Sequence, residues 1–538
     1  MKDISSTGSF VDFTLENFIY VDKTVYIPQL VKLKRVFISR PRRFGKSLTL
    51  DTIATLFETG VEPYFKGTWI YDKWTEPTYP VLRLNFLDLD KYSLEHFKQK
   101  LNAIISSFAR DINVKNYEEK VEPEDTIYFL LDELRKEKRQ IVILIDEYDC
   151  QMTANINNET LYKQFQEKIK SFYATIKNKW AIKFLLITGV TKTKNSSVFS
   201  GTDINDITNY SPYSQMIGFT RDEIKKYYID YLKLASSYEN NCSVDNVTDE
   251  QIESMLDMMA QNYDGYCFDE FYKKKVFSTW SVNSFFQSII ENKFVDFGDY
   301  WYDNGGLPSI LVNYLKAHKL NSLDYVEKDK TITIRVNDFK NPTSLTSINQ
   351  NVLMCQTGYL TLRSPVYSKG FMTLGIPNSE VYNALLSLMA LNIFDDTKLE
   401  NVNEQILSQS KDVGEIIELF NTVLNTVSYD NYPISSEAVV QQLLYMYLKG
   451  ICNSVSAELH SSKGRADLVI ESDNRRIVFE FKYAKNEIEA KVKLSEAIEQ
   501  IKTRDYGNIV PKKAELLRIA AVFNADPKVR AFTEYHEV

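Results

Sequence analysis

The stretch Arg40-Pro41-Arg42-Arg43-Phe44-Gly45-Lys46-Ser47 decides how the N-terminal half of the chain reads. It follows the apolar run Val36-Phe37-Ile38 and precedes a segment in which Leu48, Ile53, Leu56 and Phe57 recur at helical spacing. Strand, loop and helix is the setting in which Gly-Lys-Ser binds phosphate. N–H groups at the helix start face the anion after the Gly45 turn, Lys46 reaches the β- and γ-phosphates, and Ser47 offers its hydroxyl to Mg²⁺. The usual pattern opens the loop with a glycine, and here Arg40 stands in that place. Arg42 and Arg43 add positive charge to the nucleotide site or solvate the loop.

Further along, short aliphatic runs occur at 81–86, 141–145 and 184–188, separated by amphipathic helical patterns. Such runs predict a parallel sheet buried on both faces, an α/β P-loop NTPase core. The run Ile141 to Ile145 delivers Asp146 and Glu147 at its carboxyl end, where an acidic pair is costly to half-bury without a task. Asp146 is expected to hold Mg²⁺ through water and Glu147 to polarise the attacking water. The next strand ends in Thr188-Gly189-Val190-Thr191-Lys192, and Thr191 or Thr188 is placed to sense the γ-phosphate through a water.

The 538 residues allow several domains, and the 44% hydrophobic and 25% charged fractions are those of an ordinary globular chain. No segment approaches the ~18 uninterrupted apolar residues of a membrane span. The opening residues carry Lys2, Asp3, Asp12, Glu16 and Asp22 without an apolar block, so no secretory signal and a cytoplasmic location are expected. Five irregularly spaced cysteines argue for neither a disulfide framework nor a thiolate zinc site, and four scattered histidines argue against a histidine-built metal centre. Any metal should be oxygen-ligated. The net charge of −8 supplies no general pull on nucleic acid, so such binding would need a local basic surface, for which Lys32 to Arg43, Lys273 to Lys275 and Lys512-Lys513 are candidates.

From Gly218 to about Phe339 the pattern is helical and aromatic, read as a lid whose aromatic stripes are core. A helical segment, Tyr359 to Leu362, a turn and Phe371 to Ile376 outline a winged-helix module, which binds duplex or relays motion; the absence of a basic recognition helix favours the relay. A polar helical linker from Asp395 to Ser436 follows.

Near the C-terminus, Gly464-Arg465-Ala466-Asp467 opens a hairpin whose second strand ends in Phe479-Glu480-Phe481-Lys482, with its tip at Ser472-Asp473-Asn474. Alternation places Glu480 and Lys482 on one face and Phe479, Phe481 and Tyr483 on the other. With the hairpin in register Asp467 lies beside Glu480, and the two carboxylates are able to share a Mg²⁺, with Lys482 orienting water or stabilising the transition state and an upstream Glu458 adding to the nuclease-type pattern. On the following helix, Gln500 is read as supporting the metal or contacting DNA, or as an ordinary polar face, and Tyr506 as part of the helix end.

These stretches, with Tyr20-Val21-Asp22-Lys23-Thr24, Tyr263-Asp264-Gly265-Tyr266, Gln356-Thr357-Gly358-Tyr359-Leu360 and Gly375-Ile376-Pro377-Asn378, resemble the predicted AAA-ATPase-like family that carries a C-terminal PD-(D/E)XK nuclease-superfamily domain. The resemblance spans nearly the whole chain, and the arginine in place of the first loop glycine belongs to that family's pattern. It implies an ATPase site at Lys46, Ser47, Asp146 and Glu147 and a nuclease site at Asp467, Glu480 and Lys482 with Glu458 as an added ligand, and ATP and Mg²⁺ as cofactors. The expected domains are 1–215 (P-loop ATPase), 216–345 (helical lid and connector), 346–435 (winged-helix-like region and helical linker) and 436–538 (nuclease-like). The expected function is an ATP-hydrolysing protein coupled to Mg²⁺-dependent nucleic-acid cleavage, with DNA as the first partner and defence against foreign DNA as a role it would suit. The alternative is an ATP-dependent switch whose C-terminal module binds nucleic acid or a protein without cutting. No membrane contact is expected, and self-association into a homo-oligomer stays open.

Overall fold

The computed structural model describes residues 2–5, 7–177, 179–193, 204–301, 310–311, 314, 325, 329–367, 370–394, 407, 410–427, 433–451, 455–461, 464–471, 475–504, 506 and 515–538, with backbone alone at 387, 389–392, 449–451 and 455–465. The hairpin tip Ser472 to Asn474, the Lys512-Lys513 pair and the side chain of Glu458 lie outside the described residues. Two compact units emerge, Met1–Leu320 with Lys328–Tyr382 and Asn321–Glu327 with Asn383–Val538. No described helix is long and apolar enough to cross a membrane.

The first unit is built on β1 (Arg35–Ser39), β2 (Val81–Asn85), β3 (Ile141–Asp146), β4 (Ile182–Gly189) and β5 (Asn205–Asp206), ordered β2-β3-β4-β1-β5 and parallel throughout. Every residue of β3 is buried, the signature of a strand covered on both faces. Parallel neighbours need crossovers, supplied by helices such as Lys46–Thr59, Leu94–Asp111, Pro123–Lys136 and Glu159–Ile176. Ser93 and Asn158 cap two of them by accepting from the N–H groups of His96 and Leu161. Because β1, β3 and β4 are adjacent, their carboxyl ends bring the phosphate loop, the acidic pair and Gly189 to one edge of the sheet.

Helices Arg221–Tyr227, Ile229–Glu239, Asp249–Tyr263 and Thr279–Asn292 form the lid, two of them opened by capping boxes at Thr220/Glu223 and Thr248/Gln251. Its aromatics are core: Tyr228 stacks on Phe286 at 5.3 Å within a cluster that also takes Ile19 and Val21 from the N-terminal segment. The stretch read as helical also supplies a strand, β6 (Ile332–Arg335). With β7 (Thr361–Leu362) and β8 (Phe371–Gly375) it makes an antiparallel sheet ordered β6-β8-β7, preceded by helix Gln350–Thr357.

The second unit carries β9 (Val455–Ser461), β10 (Gly464–Glu471), β11 (Arg475–Ala484), β12 (Glu515–Asn524) and β13 (Ala531–Glu537), ordered β13-β12-β11-β10-β9. Only the β11–β12 pair is parallel, and helix Glu487–Arg504 makes that crossover. One face buries Val478 and Ala520 against Ala497, Ile501 and Tyr506. On the other, Phe420 meets Phe479 at 5.1 Å, with Phe481 and Phe532 beside it. Phe420 belongs to helix Val413–Thr426, so the segment read from sequence as a linker is part of this unit's core. Phe420 is fully buried, and Phe420→Ala should destabilise this unit by about 3–5 kcal/mol through the cavity it leaves, measurable as an earlier urea transition followed by far-UV circular dichroism.

Candidate functional site

In the phosphate loop, Arg40 does not adopt the left-handed backbone that a glycine would serve. The positive φ values fall instead at Arg43 (68°) and Gly45 (98°). The Arg40 guanidinium is buried, donating to the carbonyls of Ser39 at 2.9 Å and Thr208 and lying 4.2 Å from the centre of the Phe268 ring. Burial pulls its pKa down to about 9, with Asp206 and Cys267 acting in the opposite sense. Arg40 therefore anchors the loop from below. Arg43 lies over the Trp280 ring at 4.1 Å, and its carbonyl accepts from the Thr279 hydroxyl at 3.0 Å.

Helix Lys46–Thr59 starts at Gly45 with no side chain capping it, which leaves its first N–H groups available to an anion. Lys46 is buried, its Nζ 3.2 Å from the carbonyls of Arg40 and of Pro41 and 3.5 Å from Glu147 Oε1. The Ser47 hydroxyl donates to Asp146 Oδ2 at 2.6 Å, Thr188 donates to Asp146 Oδ1, and the Glu147 N–H reaches the same oxygen at 2.9 Å. A hydroxyl and a carboxylate so close, next to uncapped N–H groups, form the donor set that fits Mg²⁺ with a polyphosphate. Arg42, Arg43, Gly45, Lys46, Ser47 and Glu147 line a cavity of about 320 Å³. It continues past Tyr20 and Tyr26 to Ile217, Gly218 and Phe219, apolar walls suited to a base and ribose that the loop motif alone does not reveal.

Thr191 donates both its N–H, at 2.7 Å, and its hydroxyl to Asp149, while Thr188 is the threonine that touches Asp146. Asp149, which the sequence reading passes over, is fully buried. Its pKa is pushed up by burial and by the charge of Glu147, against the hydrogen bonds from Thr191 and Val190. Gly189 must be glycine, since a Cβ there would lie 2.5 Å from the Tyr148 ring and 2.6 Å from Asp149 Oδ1. One residue beyond Thr191, the Lys192 N–H donates to Gln356 Oε1 at 3.0 Å and its carbonyl accepts from Gln356 Nε2 at 2.9 Å. Gly358 closes the same helix at φ 95°, where a Cβ would come within 2.9 Å of Pro41. The Gln-Thr-Gly motif thus joins the end of β4 to the phosphate loop.

In the second unit, pairing of Leu468 with Phe479 puts Asp467 next to Glu480, and Asp467 Oδ2 accepts from the Phe481 N–H at 2.8 Å. Lys482 Nζ lies 2.8 Å from Glu480 Oε1 and 3.2 Å from Oε1 of Glu437, a carboxylate at the start of helix Glu437–Ile451 with no signal in the sequence pattern. Burial works against the Lys482 charge, but Glu480, Glu437 and Asp467 outweigh it and hold its pKa above the ordinary value. Glu480 is fully buried, its Oε2 has no hydrogen-bond partner, and burial followed by the charge of Asp467 pushes its pKa up to about 7. A buried carboxylate oxygen without a partner beside a second carboxylate fits a hard divalent cation that keeps several of its waters. Among the described residues no three His, Cys, Asp or Glu side chains converge as a metal cage. The strand position of Glu458 is flanked by the pairs Ala457–Leu468 and Leu459–Ala466, which sets it across from Asp467. Gln500 and Arg504 share a helix face and reach the buried Tyr506 hydroxyl at 3.1 and 3.0 Å.

Family models match a segment of each unit. Residues 5–199 match the family model described as predicted AAA-ATPase, and residues 435–532 match that of the PD-(D/E)XK nuclease superfamily. A protein of Azotobacter chroococcum mcd 1 described as "Uncharacterized protein in vnfD 5'region" is 25% identical over 533 residues, 95% of this chain and 94% of that protein. The crystal structure of Cdc6p from Pyrobaculum aerophilum aligns with a TM-score of 0.23 at 11% identity, covering 70% of this chain and 96% of that one.

The elevated Glu480 pKa means that the folded chain holds this proton more tightly than the unfolded one, so between the ordinary carboxylate range and about 7 its contribution to stability falls as pH rises. A cation must displace the same proton. Mn²⁺ binding without nucleotide, followed by electron paramagnetic resonance, should strengthen roughly tenfold per pH unit up to about 7 and then level off, and Glu480→Gln should flatten the profile.

Proposed function

We propose that this chain, an AAA-ATPase-like domain followed by a PD-(D/E)XK nuclease-superfamily domain, is an ATP-hydrolysing protein that licenses metal-dependent cleavage of nucleic acid, DNA first. The observation that carries the reading is the Asp467–Glu480–Lys482 group, in which Glu480 is fully buried and keeps one oxygen without a partner. A carboxylate kept in that state is costly unless a ligand completes it.

In the ATPase site, Lys46 is held by loop carbonyls and by Glu147, contacts that nucleotide phosphates would replace. Once Lys46 turns to the phosphates, the Glu147 carboxylate is released to take a proton from the attacking water as the terminal P–O bond breaks. Ser47 and Asp146 would hold Mg²⁺, which neutralises charge on the β- and γ-phosphates when bound. The reciprocal Gln356–Lys192 hydrogen bonds give the nucleotide state a route from the end of β4 into the helix before the wing.

In the nuclease site, Asp467 and Glu480 would hold the divalent ion, which supplies charge neutralisation and a more acidic water when bound. Lys482 then has two tasks. Its ammonium stabilises the extra negative charge that develops on the phosphate as water adds and the P–O ester bond breaks, and its pairing with Glu480 and Glu437 fixes where that ammonium sits. The proposed protein acts in the cytoplasm, in defence against foreign DNA.

The test is cleavage of single- and double-stranded DNA and RNA with Mg²⁺ or Mn²⁺, with and without ATP. Asp467→Ala should lower cleavage by at least about a hundredfold while ATP turnover persists, and Lys46→Ala should abolish turnover and change the ATP dependence of cleavage. Turnover without cleavage by the parent under any metal condition would instead support the ATP-dependent switch.

A further inference from the structure

The β6-β8-β7 sheet of the first unit, at the place where the sequence predicts a wing, exposes side chains that neither site uses. Alternation on β8 buries Met372 and Leu374 and turns Phe371 outward at 66% exposure, directly across from exposed Arg335 on β6. Tyr367, from the loop between β7 and β8, is 65% exposed. A second loop lies against this one, because the Val366 N–H donates to the Glu270 carbonyl at 2.8 Å. The next residue, Phe271, is 56% exposed and leads into exposed Lys273 and Lys275. Asp269 shapes that loop by accepting from the N–H groups of Phe271, Lys273 and Lys274 at 3.1, 3.0 and 3.1 Å, so Phe271 stands on a braced turn. Two loops joined by the Val366–Glu270 hydrogen bond and a strand pair that sets Phe371 across from Arg335 therefore carry three exposed aromatic rings on neighbouring segments, together with Arg335 and Lys273. Among the described residues neither Arg335 nor Lys273 has an acidic partner.

We propose that this surface binds single-stranded nucleic acid, the cations meeting the phosphates and the three rings stacking on unpaired bases. Single exposed apolar residues need no explanation, but three clustered aromatics interleaved with unpaired cations are what a stacking platform requires. A duplex fits less well. Its bases are already stacked on one another, and helix Gln350–Thr357, which would enter the groove in a winged-helix docking, contains no lysine or arginine. An apolar protein partner would leave the cations without counter-charge. The surface is distinct from the Asp467 site, and the proposal stands whether or not that site cuts.

The full chain carrying Asp467→Ala, in EDTA, would be titrated into labelled oligothymidylate, oligouridylate and a duplex of equal length, with fluorescence anisotropy as readout. Single strands should bind more tightly than duplex. Phe371→Ala, Tyr367→Ala and Phe271→Ala should each weaken single-strand binding roughly tenfold. Phe371→Trp should retain affinity, and Lys273→Gln should make binding less sensitive to salt. All these positions are exposed, so ATP binding should be unaltered in every variant and reports that the unit is folded. The two oligonucleotides separate DNA from RNA as the preferred strand. Unchanged affinity in the aromatic variants, preference for duplex, or no binding to any strand would overturn the proposal. Cleavage by the chain with Asp467 intact, combined with wing-independent binding, would sink this surface and leave the nuclease reading standing. Wing-dependent binding without cleavage in any metal would do the reverse.

Discussion

The ATPase-like unit depends on one carboxylate. Asp146 ends the most buried strand of its sheet and accepts from Ser47, Thr188 and the Glu147 N–H, three donors that come from the loop helix, from the neighbouring strand and from its own turn. Taking a carboxylate out of water is expensive, and this set of hydrogen bonds is what makes the position tolerable. In doing so it fixes the distance between the phosphate-binding helix and β4. Around that point the remaining constraints fall into order: Gly189 lets the Tyr148 ring close over β4, Asp149 holds Thr191, and Gln356 holds Lys192.

The second centre treats its buried acid in the opposite way. Asp146 is satisfied by protein groups, whereas Glu480 keeps one oxygen without a partner and a proton affinity raised toward neutrality. An unsatisfied buried acceptor costs on the order of 1–3 kcal/mol, so this oxygen lowers the stability of the nuclease-like unit. Lys482 compensates in part, and Glu437 keeps the lysine from collapsing entirely onto Glu480. One buried acid has its hydrogen bonds completed within the fold, and the other does not.

The elements carrying the chemistry are legible in the sequence because burial imposes strong patterns on them. Ile141 to Ile145 is apolar at every position and then turns acidic, and Phe479 to Lys482 alternates strictly, so strand, face and working residues follow from periodicity. Weak or long-range patterns are where legibility ends. β5 is only two residues, Asn205 and Asp206, and β13 buries little beyond Phe532, so neither has an apolar rhythm to read. Asp149 looks like one more acid in an acidic turn until its partner Thr191 is found 42 residues along the chain. Glu437 opens an ordinary helix, and only tertiary packing brings it to Lys482. Arg40 is visible as a departure from the glycine pattern, but its reason lies in the carbonyls of Ser39 and Thr208 and in a ring at Phe268, distant groups that no local window contains.

The contact of Gly358 with Pro41 bears on how the chain is made. A ribosome releases the phosphate loop early, yet the residues that flank it, Gly358 against Pro41 and Gln356 on Lys192, emerge more than three hundred residues after the loop itself. A nascent chain that has reached only residue 199, the end of the matched ATPase segment, has all of its phosphate-binding residues and none of this later support. The flank of the loop is thus completed only when synthesis has passed helix Gln350–Thr357, and a fragment cut at the end of the matched segment would expose it to water.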